Sequence, residues 1–210
     1  MFKVKKILIL LAAVIPCFAI YANTVSGIDP EVYKLALKAY QTAVHDGVHS
    51  NKAILTIIDY SLPSTQNRLW VVDLKQNKVL FNSLVAHGQG SGGNVATRFS
   101  NEFGTLASSI GLFLTEETYI GKRGYSLKIK GLEKGFNENA EQRHIVMHPA
   151  WYVSMAFAKI KGSLGRSWGC PALDEKVSKP IIDTIKDGTL LFAYYPNHDW
   201  LQKSKFLHQG

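Results

Sequence analysis

The residues best suited to covalent chemistry lie in Gly165-Arg166-Ser167-Trp168-Gly169-Cys170-Pro171-Ala172. The chain has two cysteines, and the other, Cys17, falls in a stretch that reads as a removable export signal. Removal of that stretch leaves Cys170 without an intramolecular disulfide partner. A single thiol in an exported chain, inside a glycine-rich turn and downstream of His148, is a candidate nucleophile. A thiol next to an imidazole can form a thiolate–imidazolium pair, the activated state for acyl transfer. Gly165 and Gly169 let the backbone turn sharply and let a substrate approach closely. The amides of Gly169 and Cys170 can point at a developing oxyanion. Arg166 can lower the pKa of a nearby thiol or hold a substrate carboxylate. Taken alone, Cys170 fits a buried structural cysteine equally well; the turn around it favours chemistry. The sequence does not set the distance between Cys170 and His148.

Two other patterns lead elsewhere. Gly88-Gln89-Gly90-Ser91-Gly92-Gly93 matches a dinucleotide fingerprint in letters and follows an expected strand. Such a fingerprint needs a helix to open there inside a βαβ unit, and 94–101 has no helical pattern. The stretch reads as a flexible loop near a site. His144 and His148 are four apart, a zinc spacing on a helix. Ile145-Val146-Met147 argues for a strand instead, on which four residues span about 13 Å, too far for one ion. Alternation then puts His144, Val146 and His148 on one face. No metal site or organic cofactor is expected.

These residues must be carried by a β-rich frame. Asp29-Pro30-Glu31 opens a helix, with Asp29 as cap, and Val32, Leu35, Ala36, Ala39, Tyr40 and Ala43 recur at helical spacing up to a stop at Gly47. The strands expected next are 54–60, 68–74 and 78–86, a β-meander. A long Gly/Ser/Asn-rich segment, 87–109, has the character of a functional loop. Strands follow at 111–115 and 125–130, then a polar loop 131–143 and a short strand 144–148 cut off by Pro149. A turn or helix over 151–161, a helix over 174–186 capped by Asp174 and a last strand over 189–195 complete the order. The tail from Pro196 reads as polar and peripheral. There is no βαβ alternation, so the fold class is mostly β with minor helices (α+β).

The 210 residues are 46% hydrophobic, which suits one ordinary domain with a real core. Lys3, Lys5 and Lys6, an apolar run from Ile7 to Ala19 and the small residue Ala22 make 1–22 an expected signal peptide. The organisation expected is thus a signal at 1–22, an N-terminal helical segment at 23–50, a catalytic domain at 51–197 and a tail at 198–210. The formal charge is +8, and 21 basic against 16 acidic residues remain after the signal. The basic residues are scattered, which argues against a nucleic-acid arm and suits a solvated face or an anionic wall polymer.

His148 at the end of a short strand, followed by Ser167-Trp168-Gly169-Cys170, resembles the YkuD-type L,D-transpeptidases. The likeness is closer to their YkuD_2 branch. It rests on Phe99-Ser100-Asn101-Glu102, Ser108-Ser109-Ile110-Gly111, Tyr119-Ile120-Gly121-Lys122, Gly124-Tyr125-Ser126-Leu127, 131–137, 143–148 and 165–172, and covers roughly 53–195. The resemblance implies a YkuD-like β-sandwich or barrel with a catalytic cleft, in a periplasmic enzyme. Cys170 is then the nucleophile, His148 the base, and the amides of Gly169 and Cys170 the oxyanion hole. Arg166, Ser167, Trp168, Tyr125 and Asn101 are the implied substrate contacts. The implied partners are peptidoglycan stem peptides, with no nucleic acid, peripheral or no membrane contact, and a monomeric state. Three positions depart from the wider pattern: Trp168 replaces a histidine, Ala172 an arginine and Pro149 a glycine. The implied reaction forms 3–3 cross-links through a Cys170 thioester. Water as acceptor would make a carboxypeptidase or endopeptidase instead. A non-catalytic wall-binding module on the same fold is the third reading. A papain-type protease is disfavoured, because it places its cysteine before its histidine.

Overall fold

A computed structural model of the chain describes residues 27–48 and 50–208. The expected signal over 1–22, with Cys17, lies outside them. Among the described residues no helix is long and apolar enough to cross a membrane.

The first element, α1 (Pro30–His45), forms for the local reasons its sequence suggests. Asp29 Oδ1 accepts from the amides of Glu31 at 2.9 Å and Val32 at 3.2 Å. Gly47, at φ 84°, ends the helix. The Gly47 amide returns to Val44 O and the Val48 amide to Ala43 O, a Schellman stop. The buried stripe Val32, Tyr33, Ala36, Ala39 and Ala43 faces the sheet.

The strands are β1 (Ile54–Asp59), β2 (Leu69–Asp73), β3 (Lys78–Ser83), β4 (Val85–Ala86), β5 (Gly111–Gly121), β6 (Gly124–Gly131), β7 (Val146–Pro149), β8 (Ala172–Leu173) and β9 (Leu190–Tyr194). Their order across the sheet is β3-β2-β1-β9-β5-β6-β7-β8-β4. Only β1–β9 and β7–β8 are parallel pairs. The two ends of this order, β3 and β4, are separated in the chain by Leu84 alone. Chain continuity therefore draws the outer edges together, and the mixed sheet becomes a nearly closed barrel.

The central strands are buried on both faces. Ile58, Leu69, Val71, Phe113, Leu127, Met147 and Leu191 share one cluster with Ile181, Ile182 and Ile185 of α3 (Glu175–Ile185). Leu55, Ile57, Trp70, Val72, Leu112 and Phe192 share the other with α1. Alternation along β1, β2 and β9 thus divides between two cores, and these strands read as near-continuous apolar runs. Asp174 caps α3 through the Lys176 amide, as expected. Helix α2 (Met155–Lys161) is capped by Ser154.

Several expectations change. The strand expected over 78–86 breaks at Leu84: β3 stays with β2, while β4 pairs with β8. β5 continues past Thr115 to Gly121, with an irregular register between Thr115 and Thr118. His144 is outside β7 and has φ 54°, so it does not alternate with Val146 and His148. The tail is not peripheral. It forms α4 (His198–Lys203) and α5 (Lys205–His208) and buries Trp200, Phe206 and Leu207 in the α1 core. Trp200 Nε1 donates to the buried Glu133 Oε2 at 3.0 Å. Glu133 Oε1 accepts from the Leu112 amide at 2.6 Å, which ties the 131–143 loop to β5.

Candidate active site

The turn that carries Cys170 is held from three sides. Ser167 closes it from within: the Gly169 amide donates to Ser167 Oγ at 3.1 Å, and Ser167 Oγ donates to Cys170 O at 2.6 Å. The glycine-rich loop holds it from below. The Ser167 amide donates to His87 O and the Gln89 amide to Ser167 O, a short parallel bridge. Ser108 holds the third side, with Oγ donating to Gly169 O at 2.9 Å and accepting from the Gly88 amide at 3.0 Å. The glycines of 88–90 are needed for this fit. A Cβ on Gly88 would lie 2.7 Å from Gly169 Cα, and one on Gly90 2.0 Å from Thr105 O. The loop forms a three-residue 3-10 turn at Gln89–Ser91, so the fingerprint letters serve close packing under the Cys170 turn.

Gly169 has φ 123°, and a Cβ there would meet Ile145 Cδ1 at 2.8 Å and Ala107 O at 2.9 Å. Gly169→Ala is therefore expected to cost about 1–3 kcal/mol in backbone strain, with crowding added. Urea denaturation reads the first effect. Slower labelling of Cys170 by an electrophile reads displacement of the turn.

Below the turn lies a buried polar network. Arg68 is fully buried and donates to Val85 O, Leu62 O and, at 2.8 Å from Nη2, to His87 Nδ1. Its guanidinium lies 5.2 Å from the Tyr60 ring centre. Burial lowers the Arg68 pKa to about 10 and raises that of Tyr60 to about 12. Burial, and then the Arg68 charge, push His87 down to about 4. His87 is thus neutral when folded and takes a proton more readily when unfolded, at its ordinary value near 6.5. Its contribution is present above that value and is lost as the pH falls towards 4. The expected loss is up to about 3 kcal/mol. Urea titrations at pH 7 and 4.5 should show a steeper decline in the native protein than in His87→Gln.

Cys170 is half-buried and is the free thiol of the described chain. Its Sγ lies 3.5 Å from the Val146 amide, which donates to it, and 3.6 Å from His144 O. The left-handed His144 turns its carbonyl towards the thiol and leaves its ring exposed. Parallel pairing of β7 with β8 sets His148 opposite Ala172, two residues past Cys170. His148 is buried, and its Nδ1 lies 2.8 Å from Pro149 O. A carbonyl only accepts, so Nδ1 carries the proton and the Nε2 lone pair stays available. Thiol and imidazole are not hydrogen-bonded to each other in this structure. Burial raises the Cys170 pKa, against lowering by the Val146 amide, Arg123 and Arg143. Burial lowers that of His148, as does Arg123, against raising by its bond to Pro149. Both shifts favour a neutral thiol and a neutral imidazole.

The other expected site residues are divided. Ser167 is buried and shapes the turn, whereas Trp168 is 69% exposed beside it. Arg166 is exposed and donates through Nη1 to Gly92 O at 2.9 Å. The amide of Gly169 is already engaged by Ser167, which leaves the Cys170 amide as the freer of the two expected oxyanion donors. Tyr125 OH donates to Asp183 of α3 at 2.7 Å. Asn101 donates to Glu138 and accepts from the Asn139 amide. Both side chains are tied into the frame by these bonds. Arg143 emerges as a further frame residue: Nη1 donates to Ser100 O and Ser109 Oγ, and Nη2 to Ala107 O. Its place directly before the His144–His148 segment was the available sequence signal. Among the described residues, no group of three His, Cys, Asp or Glu could hold a metal ion.

Residues 24–194 match the family model described as L,D-transpeptidase catalytic domain, YkuD_2. The chain belongs to this family. No curated protein matches it. Solved structures similar to it include an L,D-transpeptidase from Mycobacterium smegmatis, 13% identical, with a TM-score of 0.42 over 68% of this chain and 59% of that one. Another is an L,D-transpeptidase (Yku) from Stackebrandtia nassauensis, 18% identical, with a TM-score of 0.42 over 79% and 68%. A third, an LD-transpeptidase in complex with imipenem, is 12% identical, with a TM-score of 0.41 over 68% and 59%. The chain thus spans about three fifths of the length of the first and third of these.

Proposed function

We propose that this member of the L,D-transpeptidase family is a cysteine acyltransferase acting on peptidoglycan stem peptides in the cell envelope. The observation that carries the reading is the 2.8 Å contact between His148 Nδ1 and Pro149 O. Pro149 O holds Nδ1–H, so Nε2 is free to take a proton on the strand paired with the Cys170 segment. The Cys170 thiol gives its proton to His148 Nε2 as Sγ attacks the carbonyl of the third stem residue. The oxyanion is met by the Cys170 amide. The C–N bond breaks, Nε2 returns the proton to the departing D-alanine amine, and a thioester remains. A side-chain amine of a second stem then attacks. Nε2 takes its proton, the C–S bond breaks as the new amide forms, and Nε2 passes that proton to Sγ, so Cys170 leaves as a thiol. Every group in this scheme comes from one chain, so a monomer suffices, and none of its steps calls on a metal or organic cofactor.

The test is the product profile on purified muropeptides. Cross-linked dimers support transfer, and trimmed tripeptides alone would make water the acceptor. No product from either route would overturn the reading. Imipenem is the bound molecule in one similar structure. A carbapenem should accordingly add its mass to the native chain through Cys170.

A further inference from the structure

Arg68, Arg143 and Arg166, all near the Cys170 turn, are engaged. Arg143 spends both terminal nitrogens on Ser100, Ala107 and Ser109. Arg166 is tied to Gly92 O. Arg123 is exposed and makes no hydrogen bond or ion pair among the described residues. It sits in the two-residue connection between Gly121 and Gly124, which pair to close the β5–β6 hairpin. The tip of this hairpin lies on Pro149. A Cβ built at Gly124 would be 3.5 Å from Pro149 Cγ, and Pro149 is the residue whose carbonyl orients His148. The hairpin tip thus stands next to the residue that follows His148, and the positive charge of Arg123 is within electrostatic reach of Cys170, His148 and Tyr152.

We propose that Arg123 is the specificity residue that binds the terminal carboxylate of the donor peptide. The inference rests on the acyl-transfer reading above. In that reaction His148 protonates the departing amine. The carboxylate of that departing amino acid is one carbon from the amine and must lie beside His148. A guanidinium on the adjoining hairpin tip can meet it with two parallel hydrogen bonds. The role that the sequence suggested for Arg166 falls instead to a residue 47 positions upstream of the nucleophile. Arg166 is left to fasten the turn to the glycine-rich loop.

The experiment measures binding apart from turnover. Cys170→Ala, which cannot be acylated, is titrated calorimetrically with a stem tetrapeptide ending in a free carboxylate and with its C-terminal amide. The free acid should bind about 10- to 100-fold more tightly. Adding Arg123→Gln should remove that preference, Arg123→Lys should restore part of it, and Lys122→Gln should leave it intact. An equal preference in the Arg123→Gln and Lys122→Gln proteins, or none in the parent, overturns the assignment. Turnover of the free acid by the native chain is measured alongside. Turnover without a role for Arg123 defeats this inference alone, whereas no turnover defeats the function on which it rests.

Discussion

Cys170→Ala is expected to lower turnover of stem peptides by roughly 10⁴-fold or more, the scale of other nucleophile deletions. The same change should abolish the carbapenem mass gain while leaving the fold intact. The side chain is half-buried, and Sγ has one weak donor in the Val146 amide and one weak acceptor in His144 O. Losing the sulfur therefore strands little. The turn itself depends on Ser167, Ser108 and Gly169, none of which is altered. Intact mass after incubation with imipenem, together with a thermal melt, separates loss of the nucleophile from loss of the fold. A variant that still formed dimers at the native rate would sink the mechanism.

His148→Ala is expected to cost about 10²- to 10⁴-fold near neutral pH, the usual range for a positioned acid–base group. Its pH signature is more telling than its size. Burial lowers the His148 pKa below the ordinary histidine value. The native enzyme should therefore keep its free base to a lower pH, and the acid limb of kcat/KM should lie below about 6.5. In the variant that limb disappears. Its activity instead rises with pH, because the thiol, whose pKa burial has raised, must ionise without help. An unchanged acid limb in His148→Ala would show that another group supplies the base.

The parts of the fold legible in the sequence are those set by neighbours in the chain. Asp29, Pro30 and Gly47 mark α1 because caps and stops act within one helical turn. Asp174 does the same for α3. The meander was legible up to Ser83, but the apolar run Leu84-Val85-Ala86 carries no local mark of its change of partner. The tail misled because Trp200, Phe206 and Leu207 lie among charged residues, and their burial depends on α1 and Glu133 far up the chain. His144 misled because its φ of 54° sits in a turn entered from the 131–143 loop, whose bonds to Asn101, Ser100 and Leu112 are long-range.

The sequence by itself determined the ingredients: a thiol in a glycine turn, a histidine ending a short apolar strand, and a β-rich chain able to enclose them. Family membership was legible for the same reason, since the motifs are runs of adjacent residues in fixed order. Only the tertiary structure decided how those ingredients are set. It set His148 Nδ1 against Pro149 O, spent the Gly169 amide on Ser167, tied Arg166 to Gly92 and left Arg123 unpaired on the hairpin whose Gly124 adjoins Pro149. A side chain is free or engaged according to which donors and acceptors surround it. Pro149 and Ser167 are near neighbours whose reach depends on the backbone geometry of the strand end and the turn, whereas Gly92 lies 74 residues from Arg166 and meets it only in the folded chain.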